Sequence, residues 1–63
     1  MSMAYIRRAY KVPAKRGARV KVEHGLSTGR GTITGSRGAY LRIRLDQHTY
    51  SRLYHPTCGV TYL

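Results

Sequence analysis

Nine arginines set the chemistry available to this chain: positions 7, 8, 16, 19, 30, 37, 42, 44 and 52, joined by lysines at 11, 15 and 21. Only Glu23 and Asp46 oppose them, which leaves a formal charge of +10 on 63 residues. A guanidinium is a flat, permanently charged fork that matches phosphate oxygens and stacks on planar rings. A surface so one-signed speeds encounter with a polyanion, and each phosphate it neutralises releases counterions. The plainer account is solubility, but a small domain stays soluble with a net charge of roughly 2–8. Such charge therefore points to a polyanionic partner, nucleic acid (RNA or DNA) first, with an acidic protein surface as the alternative.

Catalysis finds little to work with. The two carboxylates make no paired-acid motif, and no phosphate-binding loop of the G-x-x-x-x-G-K-[ST] type is present. His55 and Cys58 have the H-x-x-C spacing of half a zinc site, which His24 or His48 would have to complete in space. A structural zinc site takes four ligands in two paired motifs, and the second pair is missing. His55 is thus expected in a turn and Cys58 as a small buried thiol, with no catalytic group, metal or cofactor. One cysteine forms no intramolecular disulfide, which favours a reducing, cytoplasmic setting. The basic first residues lack the continuous apolar run of a secretory signal. No apolar stretch approaches the ~20 residues that a membrane-crossing helix needs, so no membrane partner is expected.

Three groups of residues are candidates for binding a polyanion. Arg7, Arg8, Lys11, Lys15 and Arg16 are interleaved with Tyr5 and Tyr10, an arrangement suited to tracking phosphates. Arg30 and Arg37 lie among glycines, where exposed backbone N–H groups add to an anion site. Tyr40, Arg42 and Arg44 occupy alternate positions of one apolar run, so two cations and a ring share a face. Each group also has a plain reading: a solvating tail, turn chemistry and an ordinary wet strand face.

The elements that must position these residues follow from hydropathy. Residues 1–17 show no alternation, and Pro13 with Lys15-Arg16-Gly17 interrupts any short helix suggested by Tyr5, Ile6, Ala9 and Tyr10. They read as a basic arm, part of which folds back through Tyr5, Ile6 or Val12. From Ala18, apolar Val20 and Val22 alternate with Arg19, Lys21 and Glu23, a half-buried strand. Residues 25–31 hold three glycines and read as a loop. Thr32-Ile33-Thr34 gives a second strand, and residues 35–38 a hairpin turn. Ala39, Leu41, Ile43 and Leu45 mark a third strand, residues 49–54 a fourth, and residues 60–63 a fifth after a break at Pro56.

Four to five short strands, glycine-rich turns and no helix predict an all-β domain over residues 18–63, a small antiparallel barrel or strongly bent sheet. Curling buries Val20, Val22, Ile33, Leu41, Ile43, Leu45, Leu53 and Val60 together. A core this small yields no more than ~3–5 kcal/mol, so a bound partner or a homo-oligomer would add to its stability.

Gly17-Ala18-Arg19-Val20-Lys21-Val22, a glycine loop and then Gly31-Thr32-Ile33-Thr34-Gly35 resemble the KOW type of SH3-like barrel over about residues 16–46. Residues 54–58, Tyr54-His55-Pro56-Thr57-Cys58, lie outside that pattern but suit the short helical turn before the last strand of SH3-like barrels. KOW-type modules contact RNA or the transcription machinery, so the resemblance implies nucleic-acid or ribonucleoprotein association, with RNA ahead of DNA. The small, isolated module with its basic arm is also similar to small phage- or prophage-encoded proteins of unassigned function. The alternative role is a protein-interaction module that docks on an acidic protein surface, for instance as a regulator or inhibitor of host machinery.

Overall fold

The computed structural model describes residues 3–25 and 27–63. Of the segments read from sequence, the first two residues of the arm and Leu26 of the glycine loop lie outside these described residues.

The first correction concerns the arm: residues Met3–Tyr10 form a helix, α1. Met3, Ile6 and Tyr10 fall on one face, and Ile6 is fully buried in the core while Tyr5 stays exposed. Two helical turns do not hold in water by themselves, so packing of Ile6 is what stabilises α1. Its end is a backbone motif. Lys11 takes the left-handed conformation at φ 54°, and the Val12 N–H donates to the Arg7 carbonyl at 3.3 Å. That six-to-one bond is the Schellman closure, here with lysine at the position glycine usually fills. The Arg7 side chain then reaches forward to donate to the Ala14 carbonyl at 2.7 Å, tying down the connection whose Ala14 is buried in the core.

Five antiparallel strands follow: β1 Arg19–His24, β2 Ser27–Arg37, β3 Tyr40–Leu45, β4 Arg52–Tyr54 and β5 Val60–Tyr62, in the sheet order β4-β3-β2-β1-β5. β4 and β5 are not paired with each other, so the sheet is not closed into a barrel by hydrogen bonds. The chain is thus mostly β with a short N-terminal helix, rather than all-β. None of the described helices is long and apolar enough to cross a membrane.

Residues 27–31 of the glycine segment expected as a loop are instead the first half of β2, while Gly25 lies in a turn. Glycine serves there to let backbones approach: a Cβ on Gly31 would lie 2.6 Å from the Arg44 carbonyl oxygen and 3.0 Å from the Leu45 Cα. Between Ile33 and Gly35 the register shifts, leaving Thr34 as a bulge that bends the strand. The β2–β3 turn is two residues, Gly38-Ala39, with Gly38 at φ 59° as the first central position of a tight hairpin requires.

Val20, Val22, Ile33, Leu41, Ile43 and Leu45 are fully buried, as their alternation predicts, joined by Ile6, Ala14 and Tyr54. Leu53 is a second correction. Expected in the core, it is 46% exposed, because β4 shrinks to three residues and Leu53 pairs with outward-facing Arg42. Val60 is only partly buried against the core. Tyr62 closes the last turn, its hydroxyl donating to the Pro56 carbonyl at 2.7 Å, and burial pushes its phenol above the ordinary value.

Candidate nucleic-acid interface

Strand pairing carries side chains of neighbouring strands onto the same face, and β3 sorts its own cleanly: Leu41, Ile43 and Leu45 inward, Tyr40, Arg42 and Arg44 outward. The predicted grouping of Tyr40, Arg42 and Arg44 is what the fold produces. On that outward face Arg44 is opposite Thr32 of β2, which is opposite Arg19 of β1. Two residues along, on the same face, Arg30 is opposite Lys21. Arg30 is therefore presented by a strand rather than by a turn, and Arg37 ends β2 opposite Tyr40, just before the turn.

Asp46, immediately after β3, is ringed by guanidinium groups. Arg19 holds it bidentately, Nη1 to Oδ1 at 2.9 Å and Nη2 to Oδ2 at 2.6 Å, while the same Nη1 donates to Thr32 Oγ1 at 2.8 Å. The hydrogen bond from Arg19 holds the Asp46 carboxyl below the ordinary value, and the positive charges of Arg19, Arg44 and Arg30 act in the same direction. The same hydrogen bond to Asp46 raises the Arg19 guanidinium above its ordinary value. The other carboxylate, Glu23, lies 3.6 Å from the Lys21 ammonium. Both acids are thus engaged, and among the described residues none of Arg16, Arg30, Arg37, Arg42 and Arg44 is in an ion pair.

Arg16 joins the strand face although it precedes β1. Its Nη2 and the Arg42 Cδ lie 3.6 and 4.0 Å from the point where a Cβ on Gly35 would stand, so both side chains arch over that glycine. The Gly17 N–H, donating to the Ile33 carbonyl at 2.8 Å, fixes Arg16 there. Arg16 and Arg42 thus share the space over Gly35, and neither is in an ion pair among the described residues.

Not every candidate is gathered. Arg7 is committed to the Ala14 carbonyl, and Arg8 lies round the helix from Ile6, facing away from the core. Lys11 and Lys15 are exposed on the connection to β1. Tyr40 is 48% exposed but meets His55 edge-on, ring centroids 5.9 Å apart, and His55 in turn meets Tyr10 at 5.0 Å. His55 Nδ1 accepts from the Thr57 N–H at 3.2 Å, so it belongs to its turn. Cys58 is exposed rather than buried, and no cluster of three or more His, Cys, Asp or Glu able to hold a metal occurs among the described residues.

Two features of this surface were not among the candidates read from the sequence. Arg19 and Lys21 face outward because they alternate with Val20 and Val22, the same signal that placed Arg42 and Arg44. His48 and Tyr50 stack in parallel, centroids 4.9 Å apart and planes 8° from coincident, in the loop between β3 and β4. Their two-residue spacing in an irregular segment gave only a weak hint. No protein-family model matches the chain, and neither a curated protein nor a solved structure matches it.

Proposed function

We propose that the protein is a nucleic-acid-binding module that acts by binding rather than catalysis, holding a strand across the outward face of β1, β2 and β3. One observation carries this reading: Arg16, Arg30, Arg42 and Arg44 share that face, while Asp46 and Glu23 are already engaged by Arg19 and Lys21. Uncompensated guanidinium groups repel one another, and a phosphodiester chain relieves that repulsion at several points at once.

Unpaired strands are favoured over duplexes, because exposed tyrosines offer ring faces to bases. RNA stands ahead of DNA through the KOW-type resemblance. The finer description of the fold as SH3-like draws support from the pairing of β1 with both β2 and β5, and from the tight turn before β5 in which the Cys58 N–H donates to the His55 carbonyl at 3.2 Å. A single exposed Cys58 suits a reducing, cytoplasmic setting.

Fluorescence anisotropy with labelled single-stranded RNA, duplex RNA and duplex DNA, at low and near-physiological salt, tests the proposal. Salt-steep binding with single-stranded RNA tightest is the expected result. Feeble binding to all three, surviving only at low salt, would overturn it in favour of docking on an acidic protein surface.

A further inference from the structure

The loop that joins β3 to β4 is short, pinned on both sides and carries an aromatic ring that serves no core. The Asp46 carboxylate is held by Arg19, and its N–H donates to the Arg30 carbonyl at 2.9 Å. Gln47 Nε2 donates to the Thr28 carbonyl at 3.1 Å, and the His48 N–H to the Leu45 carbonyl at 2.9 Å. At the far side, the Ser51 hydroxyl lies 2.7 Å from that of Thr34, on the β2 bulge. Between these anchors stand Thr49 and Tyr50, both exposed.

Within the loop the two rings have unequal positions. His48 is half-buried, and its Nδ1 is shielded from solvent with no hydrogen-bond partner among the described residues. Tyr50 is 54% exposed, more so than Tyr5 or Tyr40. Because the planes are parallel, His48 backs one face of Tyr50 and leaves the other for a third ring to continue the stack. The cluster of Tyr10, His55 and Tyr40 differs: its rings meet at 75° and 89°, and such edge contacts do not extend a stack.

We propose that Tyr50, backed by His48, is a base-stacking subsite that receives one unpaired nucleobase on its open face. This rests on the nucleic-acid reading and adds the residue that distinguishes a base-bearing strand from a bare chain of phosphates. Arg30 and Arg44, whose charges reach Asp46 at the foot of the loop, supply cations for the flanking phosphates. A ring already held by its loop loses little freedom on binding, so the contact is preorganised. In a duplex the base faces are covered by their neighbours, so the subsite selects single strands.

The chain contains no tryptophan, so Tyr50→Trp introduces a lone indole reporter at the subsite. Three probes are titrated: a single-stranded RNA oligonucleotide, an abasic oligonucleotide of equal length, and duplex RNA. The single-stranded RNA quenches the indole, and the abasic strand and the duplex do not. Tyr50→Ala weakens binding of the base-bearing strand by about 5- to 150-fold, the worth of one base on an aromatic ring, and leaves the abasic strand unchanged. Tyr50→Phe keeps the wild-type affinity for both. An alanine variant that binds the base-bearing strand as tightly as wild type, or an indole that responds equally to the abasic strand, overturns the subsite while the phosphate-binding face stands. Absence of binding to any probe at low salt overturns the nucleic-acid reading with it.

Discussion

Replacing Arg42 and Arg44 together by glutamine removes two charges from the centre of the outward face, and the structure gives the size of the effect. Glutamine retains part of the stem by which Arg42 covers Gly35, so the change is chiefly one of charge. Five cations stand on or beside this face with no ion pair: Arg16, Arg30, Arg37, Arg42 and Arg44. If a single strand engages all five, the logarithm of affinity falls against that of salt with a slope of about −3.5, and a rise from ~50 to ~200 mM costs about 130-fold. With three remaining, the slope becomes about −2.1 and the same rise costs about 18-fold. Anisotropy titrations of wild type and variant at four or five salt concentrations read both slopes directly. A variant that binds more weakly but keeps the wild-type slope would refute the reasoning, because its loss would then come from something other than phosphate neutralisation. An unchanged affinity would place the phosphates elsewhere, on the side of α1 that carries Arg8.

Ile6→Ala tests the docking of α1. Emptying a fully buried isoleucine site costs about 2–5 kcal/mol, most of what so small a core supplies, so urea unfolding followed by circular dichroism shows a midpoint near zero denaturant; an unchanged midpoint would mean a detached helix. Gly31→Ala sets a Cβ against the Arg44 carbonyl and costs about 1–3 kcal/mol in the same assay, whereas Gly35→Ala, whose nearest neighbour is the Arg16 guanidinium at 3.6 Å, stays within about 0.5 kcal/mol of wild type. Equal effects at the two glycines would contradict the close approach of β2 and β3. Asp46→Asn leaves Arg19 unpaired and strengthens binding to single-stranded RNA, read as a lower Kd at fixed salt. The same substitution has a pH signature. Because Arg19 depresses the Asp46 carboxyl in the folded state, the pair's stabilisation is present above the unfolded carboxylate value of about 3.9 and disappears as pH falls through the lower folded value. The difference in urea midpoint between wild type and variant therefore vanishes in strong acid, and a difference that persists there would exclude the ion pair as its source.

Alternation made the sheet legible. Val20 with Val22, and Leu41 with Ile43 and Leu45, fix which faces of β1 and β3 point inward, and a face that is apolar on one side leaves its charges on the other. The helix was hidden because its signals are weak at both levels: eight residues, closed by Lys11 where a glycine would have marked the end, and stabilised by one buried isoleucine whose partners are far along the chain. Glycine misled in the opposite direction. Three glycines in residues 25–31 read as freedom to turn, yet Gly31 is used for closeness, and the need for closeness arises only once β3 lies against it.

The candidate site divides along the same line. Arg42 and Arg44 were assignable because one strand places both, whereas the convergence of Arg16 with Arg42 over Gly35 joins residues 26 positions apart and no local pattern encodes it. Arg7 shows the converse. Its charge suggested an anion contact, but the carbonyl of Ala14 claims its guanidinium, so its removal would loosen the connection to β1 before it altered any phosphate contact. Charge counted along a sequence measures how much attraction a chain can exert. Which cations are free to exert it depends on which acids and carbonyls the fold has brought within reach, and here that leaves the sheet face, with Asp46 already held by Arg19, as the surface proposed to receive a strand.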